Sequence, residues 1–167
     1  MIETTINIGC GCGKYPFKDF KAYVNCDIAK PNTKINNFIL CDCHYLPFRN
    51  KIFNTAIISH VIEHLKYPDK ALDDTKRITK DEIKIYYPFY LSQQAFMDLT
   101  HKWFIINKRF YPIPKSEKFR LLINLVINIF KSLNKKFFYR KIHLDRNEYA
   151  SIKLNNQRTN YEARTEI

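Results

Sequence analysis

Short apolar runs, each stopped by a glycine, an acid or a proline, recur along the first half of the chain. Thr4-Thr5-Ile6-Asn7-Ile8 is rich in β-branched residues and stops at Gly9, which predicts a strand opening into a loop. Ala22 to Cys26, ending at Asp27, and Phe38 to Cys41, ending at Asp42, repeat the pattern. Phe53 to Ser59 predicts a fourth strand, and Glu82 to Tyr87 a fifth that Pro88 closes. Between these two, Pro68 to Ile78 opens on proline, carries acids early and bases late, and sets Ala71, Leu72, Thr75 and Ile78 on one face. Those are the marks of a helix aligned with its dipole. Strands alternating with helices predict one α/β domain over residues 1–167, with a central, mostly parallel sheet and helices on both faces. In such sheets a ligand lies beyond the carboxyl ends of the strands.

After residue 90 the pattern loosens. Residues 102–110 are aromatic-rich and read as a strand or a docking loop. Residues 116–134 form the longest apolar-rich stretch, and Arg120, Asn124, Asn128, Lys131 and Lys135 give it one polar stripe beside a wide apolar face. Three readings follow for such a helix. It packs on the sheet as core, it forms a lid or a homodimer face, or it lies on an anionic membrane with Lys131, Lys135, Lys136, Arg140 and Lys141 at its edge. Phe137 to Leu144 and Tyr149 to Leu154 read as two closing strands, and the last dozen residues as polar and loose.

Charge separates the two halves. The formal net charge is +12, with 13 Lys+Arg against 10 Asp+Glu in residues 1–90 and 15 against 6 in residues 91–167. The second half is therefore the basic, substrate-side half, suited to RNA, an anionic membrane surface or a phosphorylated substrate, unless it is only a solvated basic face. The five cysteines are odd in number, and no basic segment followed by an apolar one opens the chain, which points to the cytoplasm. No run of 18 apolar residues is present, so no membrane span is expected.

All three glycines, Gly9, Gly11 and Gly13, follow the first predicted strand directly. Glycine is needed where the backbone turns tightly or meets a ligand without a Cβ in the way. The spacing G-x-G-x-G matches neither the G-x-G-x-x-G of dinucleotide sites nor a phosphate loop, so no pyrophosphate cradle is indicated. A cofactor without phosphate fits better. Asp27, ending the second strand, can accept both hydroxyls of a ribose, and Asp42, ending the third, can accept from an adenine amino group.

In these residues the chain resembles the class I S-adenosylmethionine-dependent methyltransferases, in particular the methyltransferase type 11 group. The matching pieces are Ile6-Asn7-Ile8-Gly9-Cys10-Gly11-Cys12-Gly13, Asn25-Cys26-Asp27-Ile28, Cys41 to Phe48, and Ser59-His60-Val61-Ile62-Glu63-His64-Leu65. Pro68, Ala71-Leu72, Lys76-Arg77-Ile78 and Ile83 to Pro88 continue the match in order and spacing. The resemblance implies a Rossmann-like fold, with residues 1–90 as the cofactor-binding half. It implies that Gly9, Gly11 and Gly13 line the methionine half of S-adenosylmethionine and that Asp27 holds the ribose. Asp42 and the backbone of Cys43 would hold adenine, with Leu46 packing nearby, and Ser59 and His60 would border the methionine end and the acceptor. Asn7, Cys10 and Ile28 complete the implied cofactor set. Three features depart from the family. Asn7 stands where many members have an acid, Thr79-Lys80-Asp81-Glu82 lacks the usual glycines, and the helix that commonly precedes the first strand is missing, so that a C-terminal segment or second subunit is expected to cover the cofactor.

Other motifs compete. His60-x-x-Glu63-His64 matches a zinc-protease pattern, but no third ligand is evident in the sequence. Cys10, Cys12, Cys26, Cys41 and Cys43 fall near strand ends, yet their C-x-C spacing is not a zinc knuckle. No metal is assigned. His101, after the fifth strand, and His60 are the candidate proton acceptors. The expected function is methyl transfer to a small molecule or to a glycan or lipid head group. The alternatives are an RNA methyltransferase, with Tyr86, Tyr87, Phe89, Tyr90 and Trp103 stacking bases, and a non-catalytic partner subunit.

Overall fold

The computed structural model describes residues 4–9, 22–32, 34–90, 92, 95, 98–106, 109–133, 147–155 and 158–164. Five strands run parallel: β1 (Thr5–Ile8), β2 (Val24–Asp27), β3 (Phe38–Leu40), β4 (Phe53–Ser59) and β5 (Thr79–Pro88). A 3₁₀ turn (Ile62–His64) and helix α1 (Pro68–Ile78) join β4 to β5. Then come the hairpin β6 (Trp103–Ile106) and β7 (Arg109–Pro112), helix α2 (Glu117–Leu133), and strands β8 (Asn147–Asn155) and β9 (Arg158–Arg164). The main sheet is ordered β3-β2-β1-β4-β5-β8-β9, with β8 antiparallel to both neighbours. The fold is the expected Rossmann-like α/β domain. The strand order reverses between β1 and β4, the place where such sheets open a crevice.

The core follows from the apolar runs. Ile6, Ile8, Ile58, Ile62, Ile78 and Ile83 are all within 1% of full burial. Each such side chain contributes about 1.5–3 kcal/mol against the entropy of ordering the chain. Central strands are buried on both faces, and β4 is buried at every position except Asn54, which is half-buried.

The glycine-free junction before β5 has a local explanation. Helix α1 passes straight into β5 with no turn between them. Thr79 closes the helix, its N–H and hydroxyl both donating to Thr75 O, the hydroxyl at 2.7 Å. The Lys51 ammonium completes the end by donating to Lys76 O at 3.0 Å and Thr79 O at 2.7 Å. A cation at a helix C-terminus satisfies orphan carbonyls and the dipole together.

The second half meets its expectations in part. Residues 102–110 form most of a two-stranded hairpin, paired Trp103 with Pro112 and Ile106 with Arg109. The expected strand at 137–144 lies outside the described residues. The one at 149–154 is the centre of β8, and the tail expected to be loose supplies β9, whose backbone pairs with β8 from Tyr149–Arg164 to Asn155–Arg158. A polar sequence can hold an edge strand because ladder hydrogen bonds come from the backbone.

Helix α2 forms where expected but does not pack as core. Leu121, Leu122, Leu125, Val126 and Ile129 are exposed, whereas Arg120 is buried. The Arg120 guanidinium donates from Nε to Pro114 O at 3.2 Å, and from its two terminal nitrogens to Asp98 O at 3.0 Å and His101 O at 3.2 Å. The three carbonyls draw this one arginine inward at the start of the helix, while Asn128 farther along the stripe is exposed.

Candidate functional site

Parallel register brings the sequence-predicted cofactor residues to one edge. Ile8 pairs with Cys26 and Ile58, Asp27 pairs with Leu40, and Ser59 pairs with Tyr86. Gly9, Asp27, Asp42, Ser59 and His60 therefore all sit at the carboxyl ends of β1–β4. They are ordered across the sheet as Asp42, Asp27, Gly9, then Ser59 and His60. Three inter-strand spacings cover ~14 Å, a span suited to a nucleoside joined to an amino acid. Cys10, Gly11 and Gly13 lie outside the described residues.

Gly9 is required by its own backbone. Its φ is +70°, and a Cβ there would stand 2.0 Å from Val61 Cγ2. Its N–H donates to Cys26 O at 2.8 Å, which ties the end of β1 to β2. The pressure for glycine at this position thus comes from Val61 in the segment after β4. That segment is itself turned by His60, whose φ is +52° and whose N–H donates to Tyr86 O at 2.9 Å.

The two acids differ in surroundings. Asp27 Oδ1 accepts from the Ala29 N–H at 3.1 Å, and the neighbouring Ile28 is exposed. Asp42 Oδ1 accepts from the His44 N–H at 2.9 Å and meets His44 Nδ1 at 2.6 Å. The His44 N–H, and after it the imidazole, hold the Asp42 carboxyl below the usual carboxylate range against the effect of burial. Burial, followed by the Asp42 charge, pushes the Cys43 thiol up to about 12, so Cys43 stays a thiol at neutral pH. Cys26, Cys41 and Cys43 form no disulfide with one another, and a hydrogen bond from Cys26 lowers the pKa of Cys41.

Leu46 is buried and is held by residues the motif does not name. Its N–H donates to Asp74 Oδ2, and its carbonyl accepts from Arg77 at 2.7 Å. Arg77 also donates to Phe48 O at 2.7 Å and to Asp74 Oδ1 at 2.7 Å. The pair on α1 thus fixes the loop after β3. The i,i+3 spacing of Asp74 and Arg77 is visible in the sequence, but its target loop 26 or more residues away is not. Two further polar atoms, Asn7 Oδ1 and Ser59 Oγ, are buried without a hydrogen-bond partner, which fits a site that takes a polar ligand at the ends of β1 and β4.

The histidine motif gains a partner in space. Glu63 is 1% exposed, His60 Nδ1 lies 3.3 Å from Glu63 Oε1, and His101 Nε2 lies 4.0 Å from the same oxygen. His64 and His101 stack edge to face with ring centroids 4.6 Å apart. Burial lowers the His101 pKa, opposed by the nearby Glu63 charge, so the ring is neutral at pH 7. The Trp103 Nε1–H donates to Leu65 O at 2.7 Å and the Lys102 N–H to Glu63 O at 2.8 Å, docking β6 on the motif.

Acid stability follows from three carboxyls. Asp42 is lowered as described. Burial raises Asp74 and Asp98, but Arg77 and the Leu46 N–H outweigh it at Asp74, and the Thr100 hydroxyl and N–H outweigh it at Asp98. A depressed carboxyl contributes its stability above the unfolded pKa, roughly 3.9, and loses it as pH falls through the lower folded value. Thermal melts are expected to fall slightly from pH 7 to pH 5, because the neutral buried His101 disfavours the native state below the unfolded histidine pKa of roughly 6.5, and to drop further below pH 4, with a shallower drop below pH 4 in Asp74→Asn. An equal drop in that variant would remove Asp74 from the account.

Comparison with known proteins agrees with this geometry. The model of a methyltransferase domain matches residues 6–86. No curated protein sequence matches the chain. Among solved structures, an S-adenosylmethionine-dependent methyltransferase of Thermotoga maritima is 17% identical over 57% of this chain and 49% of its own, with a TM-score of 0.47. A protein of Pyrococcus horikoshii is 17% identical over 75% and 71%, with a TM-score of 0.45. The methyltransferase complexed with the Trm112 activator of Haloferax volcanii is 17% identical over 50% and 44%, with a TM-score of 0.40. The chain thus spans about half the length of the first and third of these structures. The family match and the strand-end geometry carry the assignment, and the structural likenesses add no argument to it. It is residues 6–86, just under half of the chain, that match the methyltransferase domain family.

Proposed function

We propose that the protein binds S-adenosylmethionine along the carboxyl edge of β1–β4 and transfers its methyl group to a small molecule or to a glycan or lipid head group. The observation that carries this reading is the row of Asp42, Asp27, Gly9 and Ser59–His60 at successive parallel strand ends beside the β1/β4 reversal. When bound, the cofactor supplies an electrophilic methyl group on a sulfonium. The chain supplies orientation and exclusion of water. Asp27 accepts the ribose hydroxyls, Asp42 and the Cys43 N–H meet adenine, and Leu46 packs beneath it. Asn7, Gly9 and Ser59 meet the methionine half. His60, at the end of β4, borders the acceptor and can take its proton. His101 is turned inward against Glu63 and Asp98, so it positions the motif rather than reaching an acceptor.

The outward apolar face of α2, beside the basic second half, favours an acceptor or partner with both apolar and anionic parts over a free RNA. Among the described residues no helix is long and apolar enough to cross a membrane.

Calorimetric titration with S-adenosylmethionine and S-adenosylhomocysteine tests the reading. Both are expected to bind the native chain. Asp27→Ala is expected to weaken binding about tenfold or more, as hydrogen bonds to a charged group contribute about 1.5–3 kcal/mol. Folded protein that binds neither compound would support the non-catalytic reading, and unchanged affinity in Asp27→Ala would remove the ribose assignment.

A further inference from the structure

We infer that Glu63, His64 and His101 form a binding site for one divalent transition-metal ion. The sequence offers His60-x-x-Glu63-His64 without a third ligand, and the fold supplies it from 37 residues downstream. One ligand atom from each of Glu63, His64 and His101 lies within 4.8 Å of the others. Atoms bound to one tetrahedral zinc-like ion at ~2.0–2.2 Å stand about 3.3–3.6 Å apart, so side-chain rotation that draws the three groups in by about an ångström closes the site.

The hydrogen-bond pattern fixes which atoms face inward. The Thr100 hydroxyl donates to Asp98 Oδ1, so its oxygen must accept at 2.9 Å from His64, whose Nδ1 therefore carries the hydrogen. His101 Nδ1 meets the Ala95 carbonyl at 3.2 Å, an acceptor only, so it too carries the hydrogen. Both imidazoles are thus held as Nδ1–H tautomers by oxygen partners on the outside, the arrangement that orients metal-binding histidines. That leaves the Nε2 of each as the nitrogen able to bind a metal, and His101 Nε2 stands 4.0 Å from Glu63 Oε1 and 3.7 Å from Asp98 Oδ2. Both Glu63 oxygens are buried with no hydrogen-bond partner. Two lone pairs and a buried carboxylate that accepts no hydrogen bond, with His60 Nδ1 3.3 Å from one of its oxygens, favour positive charge at their centre. Imidazole with carboxylate suits zinc, manganese, iron or cobalt better than calcium or magnesium. His60 Nδ1, 3.3 Å from Glu63, is the side from which the site meets the end of β4. The site stands whether or not the cofactor assignment holds.

The test is metal binding by the full chain. After treatment with a chelator and dialysis into metal-free buffer, the protein is titrated with zinc, manganese and cobalt chlorides by calorimetry. Cobalt is also followed by its visible absorption. One equivalent per chain is expected, with a rise in melting temperature. Glu63→Gln and His101→Gln are expected to lose at least ~100-fold in affinity. Thr100→Val, which changes an exposed outer partner and spares the fold, is expected to lose ~10–100-fold. Folded native protein that binds none of the three ions would overturn the site, as would Thr100→Val and the ligand variants all binding with native affinity.

Discussion

Gly9→Ala is expected to cost about 2–4 kcal/mol of folding stability, from two independent sources. The first is the backbone, since φ of +70° is a region where a Cβ crowds the following carbonyl. The second is packing. The new methyl group would meet Val61 Cγ2 at 2.0 Å, and a β-branched side chain has few rotamers to escape into. Val61 is held between His60, whose N–H is fixed on Tyr86 O, and Ile62, which is fully buried. The clash cannot be relieved without moving the segment that carries Glu63 and His64. Urea denaturation of Gly9→Ala, alone and combined with Val61→Ala, checks this. The second change is expected to return part of the loss, and full additivity of the two costs would show that they do not meet.

Arg120→Met is expected to cost about 2–4 kcal/mol, because it removes a buried guanidinium from three carbonyls and offers them nothing in return. Methionine keeps the unbranched stem, so lost hydrogen bonding rather than lost volume dominates. Two of the carbonyls, Asp98 O and His101 O, bracket the turn that presents Thr100 and His101. Amide hydrogen exchange is expected to rise there more than in the β1–β5 sheet. A uniform rise across the chain would mean that Arg120 supports the whole fold and not this turn.

The parallel half of the molecule was legible in the sequence because its signals are local. A β-branched run ending in glycine or aspartate marks a strand and its loop at once, and Pro68 with Asp69 at one end and Lys76 with Arg77 at the other marks a helix within eleven residues. The placement of Asp27, Asp42 and Ser59 followed, since parallel strands of one sheet end on one side. What was not legible depends on distance. Arg120 reads as one member of a polar helix stripe, and nothing near it in the chain says that the carbonyls of residues 98 and 101 will claim it. The polar tail reads as loose because its pairing to β8 involves backbone groups that every residue has. His101 reads as a proton acceptor because its neighbours in the chain do not include Glu63 and His64, which the fold brings against it. Gly9 reads as a position where the backbone turns or meets a ligand, and the neighbour that excludes a Cβ there is Val61, 52 positions on.

The closing position of β8 has a temporal consequence. β5 is bordered on one side by β4, nearby in the chain, but its other border arrives only with residues 147–155, about sixty positions later. A nascent chain that has released β1–β5 from the ribosome therefore carries an uncapped ladder, Glu82 to Pro88, until the C-terminal residues emerge. Such long-separation pairing slows the final closure, because the intervening loop must be ordered before its contacts repay the entropy. During biosynthesis the protein is most open to association with other unfinished chains in that interval.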